Sequence, residues 1–148
     1  MSKRRTPGQV AIERDIVTSP AYLSLTGIAP QVLSLFLSRR IFERRKTHKK
    51  KRGEWICVNA DKLSFTYAQA AKLGINGKRF VRALDQLVER GFLNVTHSGG
   101  VIRGDVSFYG LSERWRLYGS KEFQPASRPK DDRWIGYRKK GKSTAETE

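Results

Sequence analysis

Between Phe65 and Leu93 the chain reads FTYAQAAKLGINGKRFVRALDQLVERGFL, and this stretch constrains the fold more than any other. Thr66 has the form of a helix N-cap with Gln69 three residues on, the spacing of a capping box. Leu73, Gly74 and Ile75 then form a helix end with glycine in the left-handed cap position. Asn76 is placed to cap a second, longer helix. Its apolar residues Phe80, Val81, Leu84, Leu87 and Val88 fall within an arc of about 120° at about 100° per residue. Lys78, Arg79, Arg82, Asp85, Gln86, Glu89 and Arg90 occupy the opposite arc, and the helix terminates at Gly91.

Charge is sorted along that outer arc, with Lys78, Arg79 and Arg82 in the N-terminal half and Asp85 and Glu89 further on, so only the first half attracts phosphate. The whole chain leans the same way. Its 148 residues carry 30 Lys plus Arg against 14 Asp plus Glu, a formal net charge of +16. Such a surplus attracts polyanions, nucleic acid ahead of an anionic membrane surface. Two helices across a tight glycine turn have the form of a helix-turn-helix, whose second helix offers its N-terminal residues to the major groove. The spacing alone is equally that of an ordinary αα corner with a solvated basic face.

The flanking segments suit one domain, and 38% hydrophobic residues suffice for a modest core. Residues 1–18 read as a basic arm, 19–120 as the domain and 121–148 as a basic tail, with flexible termini. Tyr22, Leu23 and Leu25 suggest a short preliminary turn. Val32, Leu33, Leu35, Phe36, Leu37, Ile41 and Phe42 follow at helical spacing, with Pro30 in a first turn that tolerates it. Seven of the nine residues from Arg44 to Arg52 are basic, a density expected in a solvated loop. EWICVN then reads as a short strand, with Cys57 a small buried side chain. After Gly91, Phe92, Leu93 and Val95 form a first strand, glycines stand at 99, 100 and 104, and Val106, Phe108 and Tyr109 resume: a hairpin with a glycine-rich tip.

The order helix, strand, helix, helix, hairpin, with ALDQLVERGFL at the junction of the last helix and the hairpin and YGLSERWRLYG after it, resembles the winged helix-turn-helix superfamily from about Ser19 to Tyr118. Members include many bacterial, phage and plasmid regulators and replication initiators. The resemblance implies an α+β fold, a three-helix core with a short strand and a β-hairpin wing, and a partner in double-stranded DNA. By position it implies contacts from Asn76, Lys78, Arg79, Arg82 and Gln86 on the helix and Arg103 on the wing. Thr66, Tyr67 and Gln69 at the head of the bracing helix, and Arg45, Lys49, Lys50, Lys51 and Arg52 of the basic run, complete the candidate set. The basic run is as readily a solubilising loop as a phosphate contact. Asp85 and Glu89 depart from the pattern and allow only a shallow, N-terminal insertion. A homodimer is compatible with that reading; an RNA-binding protein and a winged-helix protein-interaction module are its rivals.

Trp55, Phe65, Tyr67, Phe80, Phe92, Phe108, Tyr109, Trp115 and Tyr118 recur as core positions should, which favours packing over stacking on bases. GYRKKGKS, Gly136 to Ser143, matches the phosphate-cradling pattern GxxxxGK[ST], but no apolar strand precedes it and only TAETE follows, so it reads as an accident of a Gly, Lys and Ser-rich tail. Trp134, Ile135 and Tyr137 offer that tail a way to lie across the domain. Cys57, His48 and His97 match no metal-ligand spacing, and no nucleophile is paired with a base, so neither metal, cofactor nor catalysis is expected. One cysteine, no signal-type apolar core and no apolar run of about 18 residues lead to the expectation of a cytoplasmic protein without a membrane partner.

Overall fold

The computed structural model describes residues 8–47, 50–99 and 104–129; for residues 46, 47 and 50–52 it describes the backbone only. Among the described residues the fold is α+β: five helices, α1 (Arg14–Val17), α2 (Pro20–Leu23), α3 (Ala29–Ser38), α4 (Tyr67–Lys72) and α5 (Gly77–Glu89), with two antiparallel ribbons, β1 (Phe42–Thr47) with β2 (Lys50–Cys57) and β3 (Leu93–His97) with β4 (Phe108–Leu111). A 3-10 turn at Arg114–Leu117 follows. Among the described residues no helix is long and apolar enough to cross a membrane.

Local chemistry accounts for the helix ends. The Thr66 hydroxyl accepts from the Gln69 N–H at 3.1 Å while the Gln69 Oε1 accepts from the Thr66 N–H at 3.0 Å, closing the capping box. The Asn76 Oδ1 accepts from the Lys78 N–H at 2.8 Å. Gly74 sits at φ +76 after α4. Gly91, at φ +89, has a second reason to be glycine: a Cβ there would stand 2.7 Å from the Trp115 nitrogen.

The core lies where α3 and α5 cross, with α4 bracing α5. Ala29, Val32, Leu33, Phe36 and Leu37 of α3 meet Phe80, Ala83, Leu84, Leu87 and Val88 of α5. Ala83 takes the buried place expected of Val81, which is half-buried. Each large side chain fully buried here contributes about 1.5–3 kcal/mol. An aromatic chain runs through this core: Tyr109 packs edge-on against Phe36 at 5.3 Å, Phe36 on Phe65 at 6.2 Å, Phe65 on Phe80 at 6.0 Å, and Phe80 on Tyr67 at 5.4 Å.

Several expectations are corrected. The helix over α3 stops at Ser38; Ile41 lies beyond it, 56% exposed, and Phe42 opens a strand. Residues 44–47 and 50–52 of the basic run are paired strands and not loop, while His48 and Lys49 lie outside the described residues. Pairing is favoured because alternation sends neighbouring cations to opposite faces and sets Arg45 across from Glu54. EWIC is a strand as expected, but its partner is β1, and Cys57 is half-buried with its Sγ 3.5 Å from the Asn59 Oδ1. The position beside the β3–β4 ribbon is filled by Leu63, which exchanges backbone hydrogen bonds of 2.8 Å with Tyr109 in both directions. Trp55 and Tyr67, expected in the core, are 43% and 54% exposed, because the first stands on a ribbon with no layer packed extensively on it among the described residues and the second on the outer side of the first turn of α4. Phe108 and Tyr118 are half-buried; Phe65, Phe80, Phe92, Tyr109 and Trp115 are buried.

Ordered contacts reach past the expected domain borders. Arg40 donates to the Ala11 carbonyl at 2.6 Å and pairs with Glu13 at 2.8 Å. Arg114 donates to the Gln124 carbonyl at 3.2 Å. The GYRKKGKS segment, with Trp134, Ile135 and Tyr137, lies outside the described residues.

Candidate nucleic-acid interface

Helix α5 turns its buried face to α3, which leaves Lys78, Arg79 and Arg82 exposed on the outside of its N-terminal half. None of the three makes an ion pair with a carboxylate among the described residues. The same end carries the positive pole of the helix dipole, so side-chain and backbone fields add. Tyr67 is held beside this end by its contact with Phe80, hydroxyphenyl ring outward. Arg39, which is not among the candidates named from the sequence, lies with its guanidinium 5.2 Å from the Phe65 ring centre, and Phe65 touches Phe80. Arg39 is thus linked to α5 through Phe65 and Phe80, and Tyr67 through Phe80. In the sequence Arg39 shows only as part of a basic pair after an apolar helix, which does not say what the arginine touches.

The acids expected to limit insertion to the N-terminal half of the helix are paired internally. Asp85 accepts from the Arg128 Nε at 2.7 Å, and Glu89 lies 3.3 Å from Arg90. Arg128 is mostly buried. Burial by itself would lower its pKa, but the Asp85 carboxylate and the Tyr109 hydroxyl, 3.2 Å from Nη1, more than offset that and raise it, so the guanidinium stays charged.

Other expected contacts have different work. The Gln86 Oε1 accepts from the Thr26 N–H at 2.9 Å, and its Nε2 donates to the Thr26 Oγ1 at 3.0 Å and carbonyl at 3.3 Å. Its amide thus ties α5 to the loop before α3 and is turned from the outer stripe of Lys78 and Arg82. Thr66, Gln69 and Asn76 are engaged as caps. Arg45 is exposed on β1; the side chains of Lys50, Lys51 and Arg52, and all of Lys49 and Arg103, lie outside the described residues. On the β3–β4 ribbon, His97 pairs with Asp105 at 2.8 Å and Lys62 lies over the Phe108 ring at 5.1 Å. Among the described residues no three His, Cys, Asp or Glu side chains gather as a metal site would require. No family model, no curated protein and no solved structure matches the chain, so its function rests on this geometry and charge.

Proposed function

We propose that the chain is a non-enzymatic winged-helix protein that binds double-stranded DNA by sequence, as a transcription regulator or replication initiator. Helix α5 enters the major groove by its N-terminal half, α4 braces it, and the β3–β4 ribbon serves as the wing against the backbone. The observation that carries this reading is the exposed triad Lys78, Arg79 and Arg82, free of carboxylate partners among the described residues, at the head of a capped helix whose acids are paired elsewhere. Arginine is suited to read a guanine edge with two donors, whereas the lysines supply charge. The arrangement of Leu63 beside β4, with β3 beyond, supports the winged-helix assignment.

The test is selection of bound sequences from a random duplex pool, followed by titration of the recovered site against random duplex. A recovered motif with a measurable affinity gap is the expected result. Equal affinity for every duplex sinks the regulator reading, and tighter binding to structured RNA transfers the proposal to RNA.

A further inference from the structure

The β1–β2 ribbon stands out from the rest of the fold. Its strands pack on each other, and neither face has a helix or another strand packed extensively against it among the described residues. Arg44, Arg45 and Glu54 are exposed, and Trp55 keeps 43% of its surface in water. A bare two-stranded ribbon is marginally stable in water, and an exposed tryptophan on it is an association hazard, so an unpartnered ribbon is a poor end in itself.

Its base, by contrast, is firmly held. The Asn59 Oδ1 accepts from the Ile41 N–H at 2.7 Å and its Nδ2 donates to the Arg39 carbonyl at 2.9 Å. Arg40, with a side chain 5% exposed, donates to the Leu37 carbonyl at 3.1 Å, pairs with Glu13 and covers the Phe42 ring at 5.5 Å. The direction of the ribbon is therefore set by the domain. Six residues of β1, at about 3.3 Å each, carry it about 20 Å outward.

The two faces differ. Register places Arg44 opposite Trp55 and Phe42 opposite Cys57 on one face, and Arg45 opposite Glu54 and Glu43 opposite Ile56 on the other. The second face mixes signs. The first carries Arg44 and Trp55 as a cross-strand pair. Gly53, at φ +69, leaves room for Arg44 to lie across the ribbon: a Cβ there would meet the Arg44 Cγ at 3.0 Å. A cation and an aromatic on one face suit a surface that is anionic at its rim and apolar between, which describes a nucleic-acid groove; an acidic protein surface would use the cation and leave the indole idle.

We propose that this ribbon is a second DNA-binding arm and that its Arg44 and Trp55 face contacts the duplex in a groove next to the one α5 enters. The inference rests on the duplex-binding reading of α5 and extends it: Trp55 touches sugar and base surface, Arg44 the flanking phosphates, and the bound site is longer than α5 and the wing alone would cover.

The experiment uses the full chain. With Trp115→Phe and Trp134→Phe, Trp55 is the one remaining tryptophan. Saturating duplex should quench its emission and shield it from acrylamide. In the wild-type background, Trp55→Val, which keeps a strand-forming residue, and Arg44→Gln should each weaken binding about tenfold, as expected for removing one stacking or phosphate interaction. Hydroxyl-radical footprints of these variants should lose protection on one flank and keep it over the α5 site. Unchanged Trp55 emission at saturation, or full affinity with an unaltered footprint in both variants, overturns the arm. Should Trp55→Val fail to fold, Arg44→Gln and the emission titration decide alone. Arg79→Gln with Arg82→Gln separates the two readings: if that pair binds as wild type while the ribbon variants fail, α5 is not the reader and the arm stands; if the ribbon variants are silent while that pair fails, the arm alone falls.

Discussion

Asp85 and Arg128 are 43 residues apart in sequence and 2.7 Å apart in space. The pair fastens the segment after the 3-10 turn to the side of α5, and Arg128 reaches on to the Tyr109 hydroxyl at 3.2 Å. An acid that seemed to disfavour phosphate is in this way an anchor for the chain. Because Arg128 is mostly buried and Asp85 half-exposed, each of Asp85→Asn and Arg128→Gln should cost about 1–2 kcal/mol, and the double variant little more than either. Urea denaturation of the four proteins measures the coupling; strictly additive costs would mean the pair contributes nothing.

Gln86 should behave as a structural residue. Its amide is hydrogen-bonded to Thr26 through both ends, so Gln86→Ala should reduce stability by about 1–2 kcal/mol and leave the choice of duplex unchanged. A relaxed preference at one base pair with an unaltered denaturation midpoint would return Gln86 to the reading surface.

Positioning and reading separate by salt. Changing Lys50 and Lys51 to Gln should lower the slope of log affinity against log salt by about 0.9 for each phosphate no longer neutralised, and weaken all duplexes alike. Arg79→Lys or Arg82→Lys should instead cost about 1–3 kcal/mol on the preferred site only, since lysine cannot make the two-donor contact. Titrations at several salt concentrations distinguish them. A specificity gap that disappears in the Lys50 and Lys51 variant, with both helix variants retaining it, would remove α5 from the reading role.

Trp115 and Tyr67 should part company. Trp115 is 5% exposed and stacked on Phe92 at 5.9 Å, so Trp115→Ala should cost about 3–5 kcal/mol and affect binding only through unfolding. Tyr67→Ala removes a half-exposed ring at the head of α4, and is expected to reduce duplex affinity at a nearly unchanged melting temperature. The reverse pattern would exchange their roles.

Stability should fall at alkaline pH through Tyr109. Burial raises its pKa above the ordinary 10.0, against a smaller opposing influence of Arg128. The folded state then holds the proton more tightly than the unfolded chain, so the contribution is complete below about pH 10 and is lost as pH rises through the folded-state value. Tyr109→Phe should flatten that part of the stability curve. An equally steep alkaline decline in the variant assigns the effect to other groups.

Sequence determined what local chemistry decides. The capping box of Thr66 and Gln69, the Asn76 cap, the left-handed Gly74, the helix end at Gly91, the amphipathic arc of α5 and the β3–β4 hairpin were all legible, because each depends on neighbours within about one helical turn or one hairpin. The exposed cations Lys78, Arg79 and Arg82 were legible too, since a period of about 3.6 residues places them opposite the apolar stripe. Tertiary structure decided what depends on distant partners. The run from Arg44 to Arg52 carries charge enough for a loop, and only the pairing of β1 with β2 makes its residues 44–47 and 50–52 strand; Trp55 has the composition of a core residue, and only the absence of a covering layer among the described residues leaves it half in water. Gln86 belongs to the outer arc by its period, yet Thr26, 60 residues away, takes its amide, and Asp85 belongs to the same arc, yet Arg128 takes its charge. A side chain's own sequence neighbourhood sets which way it points. Its partner is set by which distant segment the packed core brings within about 3 Å, and that choice is made by burial summed over the whole domain, which no local pattern encodes.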